Sequence, residues 1–90
     1  MIEVTVKLKN KSGLHARPAA VFVETAKKFK SKITVSKEGT TADAKNILQL
    51  LALGIDYGDE IKIIADGEDE KDAINELKHL LEEVLPFEDT

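Results

Sequence analysis

The chain has two histidines and a single arginine, and one histidine stands two residues before the arginine in Gly13-Leu14-His15-Ala16-Arg17-Pro18-Ala19-Ala20. An uncharged imidazole is a nucleophile near neutral pH. A guanidinium is a planar fork of donors that suits phosphate oxygens. Pro18 lacks a backbone N–H, but in the first turn of a helix that N–H has no partner anyway. The spacing therefore predicts His15 at the mouth of a helix, with Arg17 and Pro18 inside its first turn. Gly13 gives a flexible approach. Free amides at such a terminus, here those of Ala16 and Arg17, attract an anion together with the macrodipole. The same positive field disfavours a protonated ring. The stretch reads as an uncharged histidine beside a place for the phosphoryl group it would accept. A plain helix start with an exposed histidine has the same local spacing, and spacing alone does not separate the two.

The neighbouring elements must position this stretch. Ile2, Val4, Val6 and Leu8 alternate with Glu3, Thr5, Lys7 and Lys9, the period of a strand with one buried face. Asn10-Lys11-Ser12-Gly13 is a turn leading to His15. A helix is expected over about 16–28, with Ala19, Val23 and Ala26, joined by Phe22 and Phe29, as its apolar stripe. Lys32 to Ser36 reads as a second strand, Lys37-Glu38-Gly39 as a hairpin turn, and Thr40 to Asp43 as a short third strand. Asn46 is a good N-cap for a short helix over 47–53, stopped by Gly54. Ile47, Leu48, Leu50, Leu51 and Leu53 are too many for one buried stripe. Leu50 and Leu53 fit one stripe and Ile47, Leu48 and Leu51 another. Either the second stripe is a partner surface or the helix is wedged between two elements.

Glu60 to Asp66 is the fourth strand, with Ile61, Ile63 and Ala65 inward. Glu68-Asp69-Glu70 places negative charge in the first turn of a last helix. That helix carries Ala73, Ile74, Leu77, Leu80, Leu81 and Val84 at helical spacing. It is expected to end at Pro86, with a frayed tail over 87–90. His79 falls off its apolar stripe and reads as surface. The order strand, helix, strand, strand, helix, strand, helix predicts an α+β two-layer sandwich with an antiparallel sheet covered on one face.

Composition narrows the function. Ninety residues with 42% apolar content fit one small domain spanning 1–90. Without cysteine there is no disulfide and no thiolate metal site. No signal pattern opens the chain and no apolar run is long enough for a bilayer, so a cytoplasmic protein without membrane insertion is expected. Net charge is −4, but residues 1–49 carry ten basic and four acidic side chains while residues 50–90 carry three and thirteen. The basic half, which includes His15, suits an acidic partner, a phosphate or a nucleic acid. An ordinary solvated surface also carries such lysines. Nucleic acid fits poorly, because the aromatics Phe22, Phe29, Tyr57 and Phe87 do not interleave with lysines as a stacking platform. A hydrolase or metal enzyme at His15 lacks nearby histidine, cysteine or paired carboxylates, so no metal and no cofactor are expected.

Gly13-Leu14-His15-Ala16-Arg17-Pro18-Ala19, with Ala44-Lys45, Leu53-Gly54 and Ala65-Asp66-Gly67-Glu68-Asp69-Glu70, resembles HPr, the phosphocarrier family of the phosphoenolpyruvate-dependent sugar phosphotransferase system. The resemblance spans nearly the whole chain. It implies an open-faced sandwich of four antiparallel strands and three helices (βαββαβα) and a carrier rather than an enzyme. It further implies that Enzyme I passes a phosphoryl group to Nδ1 of His15, that Arg17 steadies it, and that enzyme IIA domains of sugar permeases receive it. Ser12, Ala20, Ile47, Leu48 and Leu51 would form the partner surface, which coincides with the apolar surplus noted above. Many HPr proteins of Gram-positive type have a regulatory serine where this chain has Asn46, so the serine switch would be absent. Ser12, Ser31 and Ser36 read as turn or surface residues. A monomer fits a carrier that must expose one face. A regulatory phosphorelay, such as a nitrogen branch, is the alternative within the family.

Overall fold

The computed structural model describes residues 1–88. Strand β1 (Ile2–Lys7) leads to helix α1 (Ala16–Ala26), then β2 (Lys32–Lys37), β3 (Thr40–Asp43), α2 (Ile47–Ala52), β4 (Glu60–Asp66) and α3 (Glu70–His79). A π-helical turn, Leu80–Val84, joins α3 to a last short helix, α4 (Leu85–Glu88). The four strands form one sheet in the order β1-β4-β2-β3, and every neighbouring pair is antiparallel.

Alternation in the sequence becomes a two-faced sheet through the register. Val4 lies opposite Ile63, Ile63 opposite Val35, and Val35 opposite Ala42, so one apolar row crosses all four strands. The helices cover this face. Ala19, Phe22, Val23 and Ala26 of α1 are buried, as are Ala73, Ile74 and Leu77 of α3. Together they close a single core with Val6, Leu8, Ile33, Ile61 and Ala65. The other face carries Glu3, Lys32 and Lys62, which point to solvent. This is the expected open-faced sandwich. The β2–β3 hairpin turns through Glu38 (φ 50°) and Gly39 (φ 84°), the pair of positive φ values that a tight two-residue hairpin needs.

Three expectations change. The third helix does not stop before Pro86. The Leu85 amide bonds to the Leu80 carbonyl, five residues back, and the chain runs helically on to Glu88. Proline is excluded from a helix interior because its ring meets the carbonyl four residues back. A π turn breaks the regular ladder just before Pro86, so Pro86 enters as the second residue of a new short helix. Of the residues expected to fray, Phe87 and Glu88 belong to α4, with Phe87 exposed, while Asp89 and Thr90 lie outside the described residues. Second, Ser31, expected as a turn or surface residue, lies in the α1–β2 turn but is only 1% exposed. Its amide and hydroxyl, with the Lys30 amide, donate to the Asp69 carboxylate. Third, Glu68 and Asp69 precede the first turn of the last helix instead of lying in it: Asp69 is the N-cap of α3 and makes no side-chain bond to that helix, because its carboxylate is committed to the α1–β2 turn. Hydrogen bonds from the Ser31 hydroxyl and the Lys30 and Ser31 amides hold Asp69 well below the usual carboxylate range, at about 2.

Candidate functional site

The loop that carries His15 is built from main-chain bonds. Beyond β1, the Leu8 amide donates to the Asp59 carbonyl at 2.8 Å and the Gly58 amide returns to the Leu8 carbonyl at 2.9 Å. The Gly13 amide donates to the Asn10 carbonyl at 3.0 Å, closing the turn. Gly13 takes φ +76°, and a Cβ there would stand 2.9 Å from the Ile55 carbonyl oxygen. Glycine is thus required twice, by its backbone angle and by the close approach of a second loop. The next amide, Leu14, donates to that same Ile55 carbonyl at 2.9 Å. Leu14 and Ile55 are both buried, so apolar packing and a hydrogen bond fix the residue just before His15.

His15 is exposed and is the N-cap of α1, with extended backbone (φ −75°, ψ −173°). Its carbonyl accepts the Ala19 amide at 2.8 Å, the first bond of the helix. Its ring makes no capping bond to the helix amides. Pro18 has no amide to offer, and the amides of Ala16 and Arg17 come too early in the helix for an intrahelical acceptor. Ala16 and Arg17 are exposed as well. Among the described residues, no carboxylate forms a salt bridge with Arg17. The solvent-reachable imidazole, two helix-start amides and an uncommitted guanidinium therefore occupy three consecutive residues. Chemically, that arrangement can receive a tetrahedral anion on the ring and steady its oxygens.

The remaining residues singled out from the sequence fall on two elements and one turn. Ser12 is exposed in the turn before Gly13. Ala20 is half-buried on α1, which packs against α2. Asn46 caps α2 as expected, its Oδ1 accepting the Gln49 amide at 3.1 Å. On α2 and its C-cap Leu53, Leu50 is buried, Ile47, Leu51 and Leu53 are half-buried, and Leu48 is 77% exposed. Of the two readings of the leucine surplus, complete wedging is excluded by Leu48. Exposed His79 stands on α3, outside this constellation.

One part of the site has no local signal in the sequence. Lys37, at the end of β2, donates to the Gly54 carbonyl at 2.7 Å and pairs with Asp59 at 2.8 Å. The hydrogen bond to Asp59 raises the Lys37 ammonium above the ordinary lysine value, and the same bond, with one from the Asp56 amide, lowers Asp59. These groups brace the segment that carries Ile55. Only the fold brings them together. Among the described residues, no cluster of three or more histidine and acidic side chains could hold a metal, and no helix is long and apolar enough to cross a membrane.

Comparison with known proteins gives the family. The family model for the PTS HPr component phosphorylation site matches residues 2–83. The HPr-like protein Crh of Bacillus subtilis is 40% identical over 83 residues, covering 92% of this chain and 98% of Crh. The phosphocarrier protein HPr of Buchnera aphidicola is 42% identical over 84 residues, covering 93% and 99%. A crystal structure of HPr from Thermoanaerobacter tengcongensis superposes with a TM-score of 0.91 at 48% identity, covering 94% of this chain and 96% of that one. HPr of that organism is also described as a crystallographic dimer, 50% identical with a TM-score of 0.73 over 91% and 94% of the two chains, so the expected monomer has no support from relatives. With matches of this extent along nearly all of its length, the chain belongs to the HPr family of phosphocarrier proteins, which carry a phosphoryl group rather than catalyse a reaction of their own.

Proposed function

We propose that this protein is the phosphocarrier between Enzyme I and the enzyme IIA domains of sugar permeases, with His15 as the residue that is phosphorylated. The observation that carries the reading is the exposed His15 ring at the start of α1, uncommitted to its own helix. In the accepting step, the Nδ1 lone pair of neutral His15 forms a bond to phosphorus while the donor's bond to phosphorus breaks. The ring proton stays on Nε2. The amides of Ala16 and Arg17 and the Arg17 guanidinium take up charge on the phosphoryl oxygens. The giving step is the reverse, with the IIA domain as nucleophile. A carrier must not hold its cargo too tightly. An Arg17 free of any carboxylate clamp suits that need.

The partner surface in this reading is Ser12, Ala20, Ile47, Leu48 and Leu51 around His15, with Leu48 as its most exposed apolar member. Asn46 keeps the helix cap without a hydroxyl, so it offers no site for a serine kinase. The setting for such a relay is the cytoplasm. The test is a reconstituted relay. Phosphoenolpyruvate and Enzyme I should add one phosphoryl group, and a sugar-specific IIA domain should then remove it. A protein that loads but never discharges to sugar IIA domains would support the second reading, a regulatory phosphorelay. That reading is favoured by the likeness to Crh, described in Bacillus subtilis as a catabolite repression protein. Failure to load at all would end both.

A further inference from the structure

Lys37 is far in sequence from His15, yet its side chain, 16% exposed, reaches the segment that supports the His15 loop. Residues 54–59 join α2 to β4 and belong to no strand until Glu60. The Lys37 ammonium holds both ends of this segment, the Gly54 carbonyl at 2.7 Å and the Asp59 carboxylate at 2.8 Å. The same oxygen of Asp59 also accepts the Asp56 amide at 2.8 Å. Between these ends, the Ile55 carbonyl carries the Leu14 amide at 2.9 Å. One cation thus closes a short loop whose middle holds the residue preceding His15. The Gly54 end also follows directly on the C-cap of α2, so the clip joins the helix bearing Leu48 to the loop bearing His15.

We propose that Lys37, acting through Asp59 and Gly54, is a positioning residue for phosphoryl transfer at His15. The proposal rests on the phosphocarrier reading above. Transfer between two protein nucleophiles needs the phosphorus in line with both, and small displacements of the acceptor are costly in rate. A partly exposed ion pair contributes little to global stability. Rate and stability should therefore separate when the clip is removed.

The test compares Lys37→Met, Lys37→Arg and Asp59→Asn with the unaltered protein. Hydrogen exchange at the Leu14 amide reads the support directly. Transfer from phosphoenolpyruvate-charged Enzyme I, resolved into kcat and KM, reads the presentation of His15. In Lys37→Met, Leu14 exchange should quicken and kcat should fall, each by about tenfold, with KM altered less. Lys37→Arg should restore most of both, and Asp59→Asn should fall between. Unchanged Leu14 exchange in Lys37→Met, or an unchanged kcat alongside a lowered melting temperature, would overturn the proposal. If Lys37→Met does not fold, Asp59→Asn decides by the same two readings. If the unaltered protein accepts no phosphoryl group, the phosphocarrier reading fails and the proposal falls with it. Altered Leu14 exchange would then show a structural clip alone.

Discussion

Replacing Gly13 with alanine should damage both the fold and phosphoryl acceptance, and the structure allows the cost to be divided. At φ +76° an alanine is strained by about 1 kcal/mol or somewhat more. That part is shared with Gly39→Ala, since Gly39 lies at φ +84° and an added Cβ there would meet nothing within 4 Å. At Gly13 the added carbon also meets two main-chain atoms, the Ile55 oxygen at 2.9 Å and the Asp56 Cα at 3.2 Å. Backbone cannot rotate away as a flexible side chain would. The two loops must part, and the Leu14–Ile55 hydrogen bond, worth about 1 kcal/mol, is lost or stretched. Adding overpacking of about 1 kcal/mol gives roughly 3 kcal/mol for Gly13→Ala against about 1 kcal/mol for Gly39→Ala. For a domain of this size the melting temperature should fall by about 12–24 °C and about 4–8 °C respectively. Thermal melts followed by circular dichroism measure both. Transfer from Enzyme I, measured well below the melting temperature, should be slowed in Gly13→Ala and normal in Gly39→Ala. Equal losses of stability in the two variants, with normal transfer in both, would refute the idea that the contact with Ile55 holds His15 in place.

Arg17→Ala should leave the melting temperature within about 2–4 °C, the range of a surface substitution, because no carboxylate forms a salt bridge with Arg17 among the described residues, while slowing phosphoryl transfer in a stopped-flow or quench assay. Leu48→Ala should likewise leave stability nearly unchanged, since Leu48 is 77% exposed, but should raise KM for Enzyme I. The Asp69 carboxylate titrates at about 2 in the folded protein, below its ordinary value of 3.8, so the unfolded chain binds more protons between those values. Its contribution is therefore present above about pH 4 and lost as pH falls through about 2; acid melts should show this loss, and Asp69→Asn should be less stable at neutral pH and less sensitive in that window.

How far the fold could be read from residues depended on how local the determining interaction was. Alternation in β1, β2 and β4, the stripe of α1 and the Asn46 cap are signals within a few residues, and they placed the elements and the mouth of α1 at His15. The hairpin at Glu38-Gly39 was legible for the same reason. The run through Pro86 was not, because a π turn leaves no mark in residue type and proline normally ends a helix. Ser31 is a turn residue as read, but its burial was not legible because its partner, Asp69, is 38 positions away. The support of His15 was hidden similarly. Leu14 meets Ile55, and Lys37 meets Gly54 and Asp59, only once β2 and β4 are side by side. The placement of His15, Ala16 and Arg17 at a helix start was visible in consecutive residues, while the scaffold around them depends on strand order.

The most direct measurement asks which residue carries phosphorus. The protein is incubated with Enzyme I and phosphoenolpyruvate, and its intact mass is recorded before and after brief acid treatment. The protein should gain one phosphoryl group that acid removes, and the gain should be kept in His79→Ala and absent in His15→Ala. Phosphorylation that survives acid, or that persists in His15→Ala, would contradict that expectation.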